Sequence, residues 1–226
     1  NVCVLASLLA LVLPCASSAA TAVETDRALP SPGAHADAAI KLARRAAGEV
    51  QIQLDGKLDE AIWSELPVYD QMTITTPDTG EPAPFRTQTR LFYTERGLYV
   101  GAKLEQPPDT LKSRLAGRDA FINTDAFQIL IDSSGKGLYG YWFQVKLGGS
   151  LADGTLLPER KFQNNWDGPW RGQSSKTADG WTAEMYLPWS MINMPVTEGD
   201  KRLMGLLIVR DLGKRQETWS WPALPS

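Results

Sequence analysis

From residue 50 onward, apolar and polar side chains alternate over short runs, and Gly, Pro and Asp punctuate the intervals. A period of two marks a strand with one buried face. In 125–132, Phe127, Ile129 and Ile131 form one row against Gln128 and Leu130. In 139–147, Tyr141, Phe143, Val145 and Leu147 oppose Trp142, Gln144 and Lys146. In 181–187, Trp181, Ala183, Met185 and Leu187 oppose Thr182, Glu184 and Tyr186. The apolar row of each run is assigned to a core. The run 202–210 is apolar in both rows, which predicts a strand buried on both sides. Runs 90–93 and 98–104 flank Thr94-Glu95-Arg96-Gly97, a hairpin signature. Residues 50–54 alternate and end in the turn pair Asp55-Gly56. Leu58, Ile62 and Leu66 fall at i, i+4 and i+8, which predicts one short helix starting near Asp59. Many short strands, one helix and no internal repeat predict an all-β fold, an antiparallel β-sandwich of jelly-roll or immunoglobulin-like type.

The first 48 residues follow another pattern. Residues 2–13 are almost wholly apolar, and small residues fill 16–22. That is the apolar and cleavage region of a signal peptide, expected over 1–22, without its basic start. The expected cleavage site is Ala20-Thr21-Ala22, with 17–19 as the alternative. A membrane anchor is the competing reading, but the run falls short of the roughly 20 apolar residues a spanning helix needs. Residues 23–48, rich in Ala, Pro, Ser and Asp, read as a linker in which 37–47 is a candidate short Ala-rich helix. The sandwich is expected over 49–226, truncated at its C-terminal end. The expected location is periplasmic, outer-membrane-associated or secreted. Both cysteines, Cys3 and Cys15, lie in the leader, so the mature domain would hold no disulfide.

Net charge is −3 with the signs interspersed, which gives no footprint for nucleic acid. The single histidine, His35, lies in the linker, which argues against a His-based metal site or triad. Haem ligation fares no better, since Met72, Met191 and Met194 have no paired His. Eight tryptophans are the conspicuous feature, and each needs a core position or a ligand. Trp63 and Trp181 are assigned to the core, and Trp219 and Trp221 share one strand face. Trp166-Asp167-Gly168-Pro169-Trp170 is a tight turn with a ring at each end, either a stacking platform or a lid on the core. The second rows of the strands are Gln128, Trp142, Gln144, Lys146, Glu184 and Tyr186. They combine planar hydrogen-bonding groups with aromatic surface, as a sugar requires, though an ordinary solvated sheet face would look similar. Asp119, Asp125, Asp132 and Glu184 offer hard oxygens, and calcium is the one cofactor they would suit if they converge. No carboxylate pair with a supporting site suggests glycoside hydrolysis.

The stretch Ile52-Gln53-Leu54-Asp55-Gly56-Lys57-Leu58-Asp59-Glu60-Ala61-Ile62-Trp63 resembles the opening signature of family 9 carbohydrate-binding modules. Leu98-Tyr99-Val100 after its turn, the Asp-led strand from Thr124 to Asp132, and the Gly180-Trp181-x-x-Glu184-x-x-x-Pro188 block follow in the family's order. The resemblance covers roughly residues 50–222. It implies a β-sandwich, often calcium-bound, that binds oligo- or polysaccharide without catalysing a reaction. It also implies polar sugar contacts at Gln128 and Gln144, and a sugar held between two aromatic rings. Phe121 stands where the first ring is expected, and Trp221 adjoins the place of the second. Arg86-Thr87 after Glu81-Pro82-Ala83, and the Trp166-to-Trp170 turn, are similar to a subgroup in which this domain precedes an outer-membrane β-barrel. The expected function is a non-catalytic carbohydrate-binding module of an exported protein, in glycan recognition or carbohydrate catabolism, attached to a glycoside hydrolase or a transport protein. The alternative is a periplasmic accessory or plug-like domain of such a barrel, making protein contacts. The expected glycan contacts are Gln128, Trp142, Gln144, Lys146, Phe121, Trp166, Trp170 and Trp221.

Overall fold

The computed structural model describes residues 40–158, 161–196, 199 and 201–223, and the backbone of residues 2–5. In chain order the strands are β1 (Val2–Leu5), β2 (Ile40–Lys41), β3 (Ala43–Arg44), β4 (Thr73–Thr76), β5 (Thr87–Tyr93), β6 (Gly97–Glu105) and β7 (Ala126–Asp132). They continue with β8 (Gly140–Lys146), β9 (Leu151–Leu157), β10 (Lys161–Gln163), β11 (Arg171–Thr177), β12 (Gly180–Pro188), β13 (Arg202–Leu212) and β14 (Glu217–Trp221). One helical turn, α1 (Ala61–Ser64), lies between β3 and β4. The fold is all-β, as the alternation implies.

The strands form two sheets. The larger has nine strands in the order β10-β9-β8-β7-β13-β1-β2, with β14 bridging β13 and β4. The smaller runs β11-β12-β6-β5-β3. Pairing is antiparallel except for β1 with β13 and β3 with β5. The rows assigned to the core are buried: Phe127, Phe143, Val145, Trp181, Ala183, Met185 and Leu187 all have zero exposure. They meet Val100, Ala102 and Leu104 of β6 between the sheets. In β13, Met204, Leu206 and Ile208 join this core, while Leu203 is exposed and Leu207 is half-buried, so burial on both sides holds for only part of that strand.

Three local expectations need correction. The described part of 37–47 forms no α-helix, and only at Ala47 does a short 3-10 turn begin. Ile40 to Arg44 is extended, because Leu42 turns into the core and β3 pairs with β5, and that tertiary pairing overrides alanine's helix preference. Residues 50–54 form no ladder. Instead Glu60 accepts the backbone N–H of Gln53 at 2.8 Å, and Ile52 packs beside Trp63, Leu66 and Phe92. The Leu58-Ile62-Leu66 stripe is wrapped around a single turn, since so short a helix has no stability apart from its packing. The former linker and leader fall largely outside the described residues; β1 lies within the stretch read as leader.

A buried cation joins the sheets. Arg210 of β13 has zero exposure and points between the layers. Its Nη1 donates to Thr87 Oγ1 at 2.9 Å and to the Arg86 carbonyl at 3.3 Å, both on the smaller-sheet side. Its Nη2 donates to the Glu105 carbonyl at 2.8 Å and to Gln106 Oε1 at 3.0 Å. The guanidinium lies 5.0 Å from the Trp219 ring centroid. Burial pulls it down to about 9, with Asp125 and Glu105 opposing, so it stays charged at neutral pH. Gln106 turns its Nε2 to Asp125 Oδ2 at 3.1 Å. Asp125 also accepts the N–H groups of Lys112 and Gly213 at 2.9 and 2.8 Å.

Glu184 of β12 anchors the segment 50–66 against the smaller sheet. Its Oε2 accepts the N–H groups of Asp55 and Gly56 at 3.1 and 2.9 Å, and its Oε1 accepts Trp63 Nε1 at 3.1 Å. Burial raises its carboxyl to about 7, Glu60 adds to the rise, and the donors from Gly56, Trp63 and Asp55 oppose it.

Two outcomes are expected. Arg210→Ala removes the donor from four acceptors and opens a void beside Trp219, and should cost about 3–5 kcal/mol in urea unfolding followed by tryptophan fluorescence. A loss below 1 kcal/mol would remove Arg210 as the inter-sheet clamp. For Glu184, the folded state keeps a proton that the unfolded chain releases above its ordinary value of 4.5. Its contribution is therefore largest at low pH and is lost as pH rises toward 7 and beyond. Between pH 5 and 8, the wild type should lose on the order of 2–3 kcal/mol more stability than Glu184→Gln does. Parallel pH profiles for the two proteins would contradict this.

Candidate functional site

The outer face of the nine-stranded sheet carries a groove of about 370 Å³. Cross-strand register assembles it, because directly paired residues share a face. Trp142 and Gln144 of β8 stand beside Leu130 and Gln128 of β7. Those two stand beside Leu207 and Val209 of β13. Asp211 of β13 then pairs with Thr218 of β14, and Val209 with Ser220.

The floor is polar at one end. Gln144 Nε2 donates to Gln128 Oε1 at 3.2 Å and to Asp211 Oδ2 at 3.3 Å. Thr218 Oγ1 donates to Asp211 Oδ1 at 2.8 Å. Burial raises the carboxyl of Asp211, the Thr218 bond opposes, and Asp125 adds to the rise. The amides and the carboxylate are thus held in a fixed array before any ligand arrives.

The other end is aromatic. Trp142 is only 2 % exposed, and its indole lies against Gly154 of β9. A Cβ at Gly154 would fall 2.8 Å from Trp142 Nε1 and 1.9 Å from the Gln163 carbonyl oxygen. The missing side chain lets Nε1 donate to that oxygen at 3.3 Å. Phe121 and Phe162 flank the indole, with ring centroids 6.3 and 6.1 Å away. They are 75 % and 52 % exposed. The rings open to a ligand are therefore the two phenylalanines, and Trp142 is the base that supports them.

Of the residues singled out from sequence, Gln128, Trp142, Gln144 and Phe121 meet in this groove. Lys146 does not line it. Its side chain is 2 % exposed, its Nζ has no hydrogen-bond partner among the described residues, and burial pushes its ammonium down against the pull of Asp119. Trp166 and Trp170 lie away from the groove, in the turn before β11, packed against the inward row of β8. Trp166 packs 4.9 Å from Tyr141, and Trp170 packs 5.6 Å from Phe143. Their turn is a lid on the core. Trp221 pairs with Ile208, faces the core side, and stacks on Tyr69 at 5.7 Å. Glu184 and Tyr186 belong to the other sheet. Sequence reasoning missed Asp211, Thr218, Ser220 and Phe162. Only Asp211 leaves a signal, as a carboxylate beside Arg210 near the end of a largely apolar run.

The four calcium candidates do not converge. Asp125 and Asp132 sit at opposite ends of β7, and Glu184 is in the smaller sheet. Donors of their own already serve them: Ser134 and Gly137 N–H for Asp132, and the partners given above for Asp125 and Glu184. Asp119 instead gathers with Asp153 and Asp167, one oxygen of each lying within 4.8 Å of the others. Arg118 pairs with all three, at 3.7 Å to Asp119, 3.1 Å to Asp167 and in a short contact to Asp153. Burial raises the Asp153 carboxyl, with the Gly168 N–H and Arg118 opposing. The cluster is thus an arginine-centred ion network that ties the Trp166-to-Trp170 turn to β9.

Neither a family model nor a curated protein sequence matches this chain. Solved structures do. A family 9 carbohydrate-binding module from Caldicellulosiruptor kristjanssonii, in complex with cellotriose, is similar with a TM-score of 0.55 at 14% identity, over 80% of this chain and 83% of that one. A module of the same family and organism in complex with glucose gives 0.54 at 14% identity, over 78% and 84%. A Bacteroides uniformis protein described as a candidate carbohydrate-binding protein gives 0.56 at 13% identity, over 70% and 78%. This chain has the fold of a family 9 carbohydrate-binding module.

Proposed function

We propose that this chain is a non-catalytic carbohydrate-binding module of an exported protein, and that its groove takes one end or a short stretch of a glycan. The observation that carries this reading is the pairing of two exposed rings, Phe121 and Phe162, with the polar strip Gln128, Gln144 and Asp211 in a single groove. A sugar offers apolar C–H faces and a rim of hydroxyls. The rings match the first, and the amide and carboxylate groups match the second. The volume, about 370 Å³, lies in the range of small-ligand sites. The modules that share the fold are described with cellotriose and with glucose, which makes β-linked glucose the first ligand to try. Export is proposed on the apolar leader and its small-residue cleavage zone. Cleavage there would release β1 and free the edge of β13 along Arg202 to Gly205.

The test is calorimetric titration with glucose, cellotriose and a xylo-oligosaccharide. At least one is expected to bind, with Phe121→Ala and Phe162→Ala each weakening it about five- to tenfold. Both side chains are exposed, so the variants should melt as the wild type does. Absence of binding to all three sugars, or binding indifferent to both substitutions, would overturn the proposal.

A further inference from the structure

The opposite outer face, on the smaller sheet, carries a second groove of about 520 Å³. Its floor is one row across four strands: Gln88 of β5 pairs with Lys103 of β6, Lys103 with Thr182 of β12, and Thr182 with Ser175 of β11. Arg90 of β5 begins the next row and pairs with Gly101, over which the Trp63 ring and Leu58 close down. The segment 57–64 forms one wall, and Lys176, Thr177 and Asp179 form part of the other.

The charge of this groove is unlike that of the chain. Three cations, Lys57, Arg90 and Lys103, line it against two carboxylates, Asp59 and Asp179, although the whole chain carries −3. Lys176 borders it only at the strand edge, because it pairs with the core residue Trp181 and so lies on the inward row. Two of the lysines have exposed partners, Lys57 with Asp55 at 2.9 Å and Lys103 with Asp179 at 2.6 Å. Such pairs are weak and exchange readily. Arg90 has no ion-pair partner among the described residues. Arg90 Nε is buried without a hydrogen-bond partner, and its Nη2 reaches only Gln88 Oε1, at 3.5 Å. Burial pulls the guanidinium down, and the one charge that adds to this is a second cation, Arg86. A half-buried guanidinium with an unserved N–H and no carboxylate is costly unless something anionic completes it.

We propose that this groove is a second ligand site, one that takes an oxyanion, the carboxylate of an acidic sugar or a phosphoryl group, on Arg90 with Lys103 beside it on the same sheet face. A guanidinium offers parallel N–H donors that match two oxygens of such a group. The proposal is independent of the neutral-sugar groove, which lies on the other sheet.

The experiment is NMR titration of the full chain with glucuronate, with inorganic phosphate and with glucose, following the Arg90 Nε–H and Trp63 Nε1–H resonances. Saturable shifts of both with glucuronate or phosphate are expected, and none with glucose. Whichever anion binds at lower concentration identifies the source. Arg90→Gln and, separately, Lys103→Ala should weaken binding about tenfold and about threefold, and added NaCl should weaken the wild type. Phe162→Ala should leave this binding unchanged. Silence of Arg90 toward both anions, equal shifts with glucose, or unaltered affinity in both Arg90→Gln and Lys103→Ala would overturn the proposal.

Discussion

Arg210 is the constraint on which the rest of the sandwich depends. A charged side chain with zero exposure is costly unless most of its donors meet acceptors, and here four acceptors serve Nη1 and Nη2 while Nε has none among the described residues. Here those acceptors come from the start of β5 and the end of β6, so the clamp sets how the two sheets sit on each other. The consequence reaches the groove in two ways. Successive strand residues point to opposite faces, so Arg210 in the core sends Asp211 outward, into the polar strip with Gln144 and Thr218. Gln106 then passes the clamp to Asp125, which holds the Lys112 and Gly213 N–H groups. Thr124 Oγ1 donates to the Lys112 carbonyl, closing the loop that carries Phe121. One buried cation therefore supports both the hydrogen-bonding end and one ring of the groove.

The two outer faces were built from the same strand chemistry to different ends. On the larger sheet, charge is nearly absent, and Leu130, Leu207, Val209 and Trp142 make a dry base on which a few polar groups are fixed. Hydrogen bonds in such a setting are stronger than in water, and so is the penalty for leaving one unmade. On the smaller sheet, the segment 50–66 covers Phe92, Tyr99 and Gly101 but stops short of Arg90 and Lys103. What remains uncovered there is cationic. The domain thus presents a neutral, aromatic groove on one side and a basic one on the other.

The sequence was most legible where a strand is central and half-buried. The rows of β7, β8 and β12 could be read directly, because alternation reports which side chains turn inward, and four ordered motifs pointed to the same sandwich. Alternation does not say which sheet a strand joins. Glu184 and Tyr186 therefore look equivalent to Gln128 and Gln144 in the sequence, although they lie on the opposite outer face. Strands β9, β10 and β11 were hidden by composition: Gly154, Asp153, Ser174 and Lys176 break the apolar row that marks a strand. Phe162 sits among polar neighbours and gains its meaning only from β10 pairing with β9 beside Trp142. Tryptophans mislead for the converse reason. Trp166, Trp170 and Trp221 are large apolar groups that the ends of a sandwich need as covers, and nothing local distinguishes a cover from a platform.

The character of the exposed rings narrows what the neutral groove can hold. Phe121 and Phe162 are turned to solvent beside an already buried indole, so they contribute little to the fold and leave apolar area wet. A wholly apolar partner would cover that area but would also bury Gln128, Gln144 and Asp211 against groups that cannot hydrogen-bond, at a cost that offsets the gain. A fully polar partner would satisfy the strip and leave the rings idle. The arrangement is complementary to a compact ligand with an apolar face and a hydroxylated edge within one small volume. That combination, more than any single residue, is the ground for proposing a sugar.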